Sequence, residues 1–354
     1  MRDAFALEAP ASELYRSGMR AIQLDGGFGV AKLSVTERPR SVVGPGQIEL
    51  RMLAASLNYR DLLMVRGEYD PKLGLPLIPG SDGVGEIVTM GEGVSEFRLG
   101  ERVCPLVANG WYEGSPTRTT LRQTRGGPLD GVLQEYVVLN AGDVVRPPAF
   151  LSNEQAATLP CAALTAFSAL FRHSKLVSSE CVLVLGTGGV SMFALQFAKA
   201  AGARVIVTSR SDEKLAKARS LGADFTLNTG INPEFGQKVR ELSGGEGVDY
   251  VIEVGGADTL AESLRAVRPG GSVHLIGVLA GKQGPLNLLP LLMRDVRLQG
   301  VFIGPRRSFV EMNQLIQERK IVPAIDRSFP LDEAREAFSY LASGAHVGKV
   351  CLRF

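Results

Sequence analysis

Cysteine, histidine and tryptophan are scarce in this chain. Four cysteines (Cys104, Cys161, Cys181, Cys351), three histidines (His173, His274, His346) and one tryptophan stand among 354 residues. The cysteines lie far apart and form no CxxC pair, which argues against a disulfide scaffold and a structural zinc knuckle. An excess of one charge is also lacking. Lys+Arg number 39 and Asp+Glu 37, a formal net charge of +2. A nucleic-acid groove or a polybasic membrane anchor relies on clustered cations, so neither partner is expected. No apolar run reaches the roughly 18 residues of a membrane span. Asp3, Glu8 and Glu13 interrupt the opening segment, which does not read as a secretory leader. A reducing, cytoplasmic setting is the expectation.

What is plentiful is glycine, 41 residues of 354, above the usual ~7%. Without a G-X-Y period this points to tight turns and close backbone approaches. Residues 1–18 read as an N-terminal extension. From Met19 to about 147 short strand patterns alternate with turn signals such as Gly44-Pro45-Gly46 and Pro79-Gly80, a barrel-like β module. Residues 105–131 read as a polar loop leaving that module. After Pro147-Pro148 a helix is expected over 153–171. Strands at 181–185, 204–208, 224–227, 248–254 and 272–278 then alternate with helices, which predicts a parallel, doubly wound sheet. A further strand is expected near 296–303, helices at 308–319 and 331–342, and a final strand at 348–354.

The sharpest signal is VLVLGTGGVSMFALQFAKAAGARVIVTSRS, beginning at Val182. A strand runs into a glycine-rich turn and then a helix. Gly186 permits the tight turn, Gly188 lets the backbone approach a diphosphate, and the helix N-terminus offers free N–H groups. Ser191 holds the third glycine position, a small residue still compatible with close packing. The end of the second strand reads Val207-Thr208-Ser209-Arg210-Ser211, with no carboxylate at 208–211 to receive ribose hydroxyls. Ser209, Arg210 and Lys214 could instead meet a 2′-phosphate, so NADP(H) is favoured over NAD(H), the alternative being that Arg210 is a solvated surface residue. Asp212 and Glu213 begin the next helix, where carboxylates favour the dipole, and read as its caps.

With these motifs the chain resembles the medium-chain dehydrogenase/reductase superfamily over about 19–354. The resemblance rests on PGSDGVGEIVTMGEGVSEFRLGERV (79–103), LPCAALTAFSAL (159–170), GTGGVS (186–191), GVDYVIEVGG (247–256) and GKVCLRF (348–354). It is closest to zinc-independent, quinone-oxidoreductase-like or alcohol-dehydrogenase-like members. It implies a GroES-like β-barrel catalytic domain (19–147) completed by a C-terminal return (308–354), with a Rossmann domain (148–307) between. It also implies a homodimer through the sheet edge near LNLLPLLMRDVRLQGVFIG (286–304), the alternative being an ordinary buried last strand.

Zinc-dependent relatives place a ligand Cys where this chain has Asn58 in LNYRD, and a ligand His and Glu where it has Ser81 and Asp82. Only Cys161 matches a third ligand, and only Cys104 remains of the structural-zinc lobe. One thiol of three ligands does not make a four-coordinate site, so no zinc is expected. Cys161 then reads as a small buried residue. Substrate polarisation falls to hydrogen-bond donors: Tyr59 first, as donor or as an aromatic packed on the cleft wall, then Asn58 as an orienting group, with Arg60 beside them. Coenzyme contacts implied by the resemblance are Thr165, Gly186, Thr187, Gly188, Gly189 and Val190. Val254, Gly255, Ile276, Gly277, Val278, Val301, Ile303 and Lys349 complete them. The expected function is NADP(H)-dependent hydride transfer to a quinone, enone or related carbonyl. The alternatives are a zinc-independent alcohol dehydrogenase for secondary or aromatic alcohols, and a nucleotide-binding protein without turnover.

Overall fold

A computed structural model describes residues 18–354. The extension expected at 1–18 lies outside the described residues, except for Gly18, which opens the first strand. In chain order the strands are β1 (Gly18–Leu24), β2 (Leu33–Pro39), β3 (Gln47–Leu57), β4 (Asp82–Met90), β5 (Arg102–Pro105), β6 (Tyr136–Asn140) and β7 (Val144–Val145). They are followed by β8 (Cys181–Leu185), β9 (Arg204–Ser209), β10 (Phe225–Asn228), β11 (Val248–Glu253) and β12 (Val267–Leu275). The last three are β13 (Arg297–Gly300), β14 (Ile325–Pro330) and β15 (Lys349–Arg353).

The middle of the chain forms a six-stranded sheet in the order β10-β9-β8-β11-β12-β13, every neighbouring pair parallel. Parallel neighbours need crossover connections, and helices such as Gly189–Ala200, Asp212–Ser220 and Phe235–Ser243 supply them. Strand β8 is buried along its whole length, as a strand covered on both faces should be. The strand order reverses between β8 and β11, the place where open sheets of this kind bind ligands at their carboxyl ends.

The two ends of the chain build the other part. A seven-stranded sheet runs β14-β15-β3-β4-β5-β7, with β6 also pairing β3. The last strand therefore lies antiparallel to β3, with Val350 opposite Leu57. A separate apolar core fills this barrel-like part, built around Leu50, Leu57, Ile87, Phe338 and Leu352. The expected α/β architecture, a barrel-like part beside a doubly wound sheet, is thus present.

Three details depart from the sequence reading. The helix expected over 153–171 is broken into Asn153–Ala157, a π-helical turn Leu159–Ala163, Leu164–Phe167 and a second π-helical turn Ser168–Arg172. Pro160 brings no N–H to that segment, so the ladder shifts register around it. Strand β14 lies between two predicted helices and carries no alternating pattern, being half-exposed along most of its length. The polar 105–131 segment contains a helical turn at Arg118–Arg122, and its Trp111, Thr124 and Arg125 are buried.

Candidate active site

The glycine-rich turn sits at the carboxyl end of β8, where the strand order reverses. Gly186 adopts φ +70°, a conformation that favours glycine. A Cβ added at Gly188 would meet nothing within 4 Å, so the backbone there is open to a ligand. Gly188 caps the helix Gly189–Ala200 with no side chain covering its first N–H groups, which leaves donors for an anion. Ser191 is buried and donates its hydroxyl to the Leu185 carbonyl at 2.7 Å. The residue in the third glycine position thus ties the helix to the strand it follows. Thr187 is buried, its carbonyl accepting from Gly348 N–H at 2.9 Å, and Val190 is half-buried.

At the end of β9, Ser209 is half-buried and accepts from Ser211 N–H at 3.3 Å, while Arg210 is exposed. Ser211, not Asp212, caps the next helix, accepting from Lys214 N–H; Asp212 and Glu213 occupy its first turn. The Lys214 ammonium donates to the Gly344 carbonyl.

A carboxylate that the sequence reading did not single out organises the next strand end. Glu253 is fully buried, and its Oε1 accepts from Gly255 N–H at 2.7 Å, Gly256 N–H at 3.1 Å and Thr259 Oγ1 at 2.7 Å. Ser263 donates to its other oxygen. The signal was present as an acid inside an apolar strand, a placement that is rare unless the charge is hydrogen-bonded. Val254 and Gly255 follow it directly. Ile276 and Gly277 both donate N–H groups to the Glu253 carbonyl, at 2.8 and 3.3 Å, and Val278 follows them. Val301 donates to the Leu275 carbonyl at 3.0 Å. Ile303 is buried at φ +40°, costly for a β-branched residue. Thr165 is buried one helical turn after Cys161. Apart from Thr165, which lies on the helix Leu164–Phe167, these positions follow the carboxyl ends of strands of one sheet.

On the barrel side, Asn58, Ser81, Asp82 and Lys349 form one buried network. Asn58 begins a short helix, Tyr59–Val65, through a reciprocal cap: its N–H donates to Asp61 Oδ2 at 2.9 Å. Asp61 Oδ1 accepts from Ser81 Oγ at 2.8 Å. The Asn58 amide nitrogen donates to Asp82 Oδ2 at 2.8 Å and Ser81 Oγ at 3.3 Å. The Lys349 ammonium donates to Leu57 O at 2.9 Å, Asn58 Oδ1 at 2.5 Å and Asp82 Oδ2 at 3.2 Å. Its stem lies so close under the glycine-rich turn that a Cβ on Gly189 would come within 2.5 Å of Lys349 Cδ. Lys349 thus joins the two parts, with its head turned toward Asp82.

Burial pushes the Asp82 carboxyl up to about 6, and Lys349 and Asn58 pull it back only in part. Its Oδ1 is buried without a partner among the described residues. The Cys161 thiol is pushed up by burial and further by Asp82. Arg60 is tied to the 124–127 loop, donating to Arg125 O at 2.8 Å and to Thr124 Oγ1 and Gly127 O at 3.3 Å each. Tyr59 is half-buried and packs on the barrel core, and its hydroxyl makes no hydrogen bond among the described residues. Of the two expected catalytic groups, Asn58 therefore has its amide fully engaged and Tyr59 keeps a free hydroxyl.

These residues do not fit a zinc ion. Where the other ligands would stand are the Asn58 amide, the Ser81 hydroxyl and the Asp82 carboxylate, and the Lys349 ammonium already touches the amide and the carboxylate. No group of three or more His, Cys, Asp or Glu able to hold a metal occurs among the described residues. No described helix is long and apolar enough to cross a membrane.

Two known families match the chain. The alcohol dehydrogenase GroES-like domain matches residues 44–149, and the family described as zinc-binding dehydrogenase matches 189–318. A zinc-type alcohol dehydrogenase-like protein of Schizosaccharomyces pombe is 42% identical, covering 92% of this chain and 96% of that protein. An acryloyl-coenzyme A reductase of Metallosphaera sedula is 31% identical over 87% of this chain and 92% of its own length. The crystal structure of a putative alcohol dehydrogenase from Sinorhizobium meliloti superposes with a TM-score of 0.88 at 40% identity, covering 95% of this chain and 99% of that one.

Proposed function

Because the chain belongs to the medium-chain dehydrogenase/reductase superfamily, we propose that it is an NADP(H)-dependent oxidoreductase that reduces an enone, a quinone or a related activated carbonyl compound without zinc. The observation that carries the zinc-free reading is the buried Lys349 ammonium, bonded to Asn58 and Asp82 where a metal would need those groups. The open backbone at Gly188 and the uncovered helix start support dinucleotide binding. Ser209, Arg210 and Lys214, with no acid at the strand end, support the phosphorylated coenzyme. The relative named an acryloyl-coenzyme A reductase supports an activated double bond as substrate.

A bound nicotinamide supplies or accepts the hydride. The chain's own residues do the rest. The first N–H groups of the helix Gly189–Ala200 would hold the diphosphate, with Thr187, Gly189 and Val190 beside it. Thr165, Val254, Gly255, Ile276, Gly277 and Val278 would hold the rest of the coenzyme at the strand ends, and the backbone of Val301 and Ile303 would hold the carboxamide. Charge developing on the substrate oxygen needs a donor that is not already committed. Tyr59 is that donor in this reading, giving a hydrogen bond or a proton from its hydroxyl. Asn58 acts on position, holding Lys349 against Asp82. The same reading divides the chain into a catalytic domain (19–147 and 308–354) and a coenzyme domain (148–307), an arrangement supported by the pairing of β15 with β3. It takes the protein as a cytoplasmic homodimer. The exposed Leu288, Leu289, Leu292 and Met293 beside the edge strand β13 support that contact.

Oxidation of a secondary or aromatic alcohol is the second reading, favoured by the relatives named as alcohol dehydrogenases. A panel following NADPH oxidation with enones and quinones, and NADP reduction with alcohols, decides between them. Turnover that tracks stoichiometric bound zinc would overturn the metal-free half, and tight coenzyme binding with no turnover across the panel would overturn the enzyme.

A further inference from the structure

The turn 344–348, just before the last strand, runs from the candidate phosphate cation to the glycine-rich turn. Lys214 donates its ammonium proton to the Gly344 carbonyl at one end, and Gly348 N–H reaches Thr187 O at 2.9 Å at the other. His346 stands midway. Its Nδ1 is buried and has no partner among the described residues.

The ring's surroundings are mainly cationic. Lys214, from the helix Asp212–Ser220, and Lys349, from β15, both disfavour a proton on it. Asp326 of β14 alone favours one, and that carboxylate is shared with Tyr340 Oη at 2.6 Å, Val347 N–H at 3.1 Å and Lys217 at 3.7 Å. Arg210 adds positive charge at Lys214, and Glu213 opposes it. Burial and Lys214 together hold the imidazole down to about 4, so it is neutral in the free protein at ordinary pH.

A phosphomonoester beside Lys214 and Arg210 would reverse that field, bringing about 1.5 to 2 negative charges. A ribose hydroxyl would bring none. We propose that His346 is a proton-linked discriminator of the coenzyme's 2′-phosphate, taking up a proton from solvent when the phosphorylated coenzyme binds and not when its unphosphorylated counterpart does. This deepens the NADP(H) reading above and rests on it.

The test compares NADPH and NADH affinities from about pH 5.5 to about pH 8 in the wild type and in His346→Gln. The phosphate's own second ionisation, near ~6, weakens NADPH binding as pH falls. In the wild type, proton uptake by His346 offsets that loss by up to about tenfold per pH unit. In the variant, the NADPH-to-NADH affinity ratio falls steeply with acid. Histidine ring titration by NMR on the unaltered protein gives a second readout that does not depend on the variant folding. It should place the His346 midpoint at least about one unit higher in the NADPH complex than in the NADH complex. Preference for NADPH with equal pH slopes in both proteins, or equal midpoints in both complexes, overturns this inference and leaves the coenzyme reading intact. NADH bound as tightly as NADPH at every pH overturns the coenzyme reading itself, and the inference with it.

Discussion

Replacing Lys349 by methionine removes the counter-charge of Asp82 while keeping most of the side-chain volume. The ammonium and the carboxylate are 3.2 Å apart, with side-chain exposures of 2% and 0%. Breaking such a buried pair from one side costs about 3–5 kcal/mol, because the other charge is left uncompensated. With a urea slope of ~3 kcal/mol/M, the midpoint should fall by about 1 to 1.7 M. The single tryptophan, Trp111, is buried, so its fluorescence reports the unfolding transition. The sign of the pH dependence follows from Asp82. Its folded carboxyl is raised to about 6 by burial, so its own contribution favours folding in acid and is lost as pH rises through about 6. Removing Lys349 raises it further and extends that loss upward. Lys349→Met should therefore be most destabilising near pH 7.5 and less so near ~5. Neutralising both partners, in Lys349→Met/Asp82→Asn, should recover most of the loss. A penalty under about 1 kcal/mol, independent of pH and additive with Asp82→Asn, would refute the claim that these two groups neutralise each other.

Ser209→Asp places a carboxylate where the strand end now has none. It should weaken NADPH binding by roughly 10- to 100-fold relative to NADH, read by coenzyme titration. Glu253→Ala leaves the Gly255 and Gly256 N–H groups without their acceptor, so stability should drop by about 3 kcal/mol or more and coenzyme affinity with it; an unchanged midpoint would count against the turn's dependence on this acid. His274 is fully buried, with Nε2 2.8 Å from Ser174 Oγ, and burial lowers it to about 4. A histidine depressed in the folded state contributes stability above its unfolded pKa of about 6.5 and loses it as pH falls toward 4. The slope is ~1.4 kcal/mol per pH unit, and His274→Gln should abolish it in urea titrations. Tyr59→Phe keeps the packed ring and removes the free hydroxyl, so kcat should fall about 100-fold or more with KM for NADPH little changed; a drop under about threefold would remove Tyr59 from the proton step.

The parallel sheet was legible because buried strands between crossover helices leave a distinctive pattern of apolar runs and periodic faces, as in Val182–Leu185 followed by Gly186 to Ser191. The glycine-rich turn was legible for the same local reason: its chemistry is in consecutive residues. Strand β14 was not, because a half-exposed edge strand needs no alternation. The break in the helix near Pro160 depends on what its π-helical turns pack against. Glu253 was visible in the sequence only as an oddity, since its four donors come from residues that fold back on it.

Sequence alone determined the architecture and the coenzyme turn, since short-range periodicity and backbone requirements specify both. Only the tertiary structure decided what stands beside Asn58 and Asp82. Lys349 lies 291 positions beyond Asn58, and no local pattern could reveal that the pairing of the last strand with β3 delivers its ammonium to Asp82. A charge buried at that distance in sequence is fixed by the fold's closure, which is a property of the whole chain.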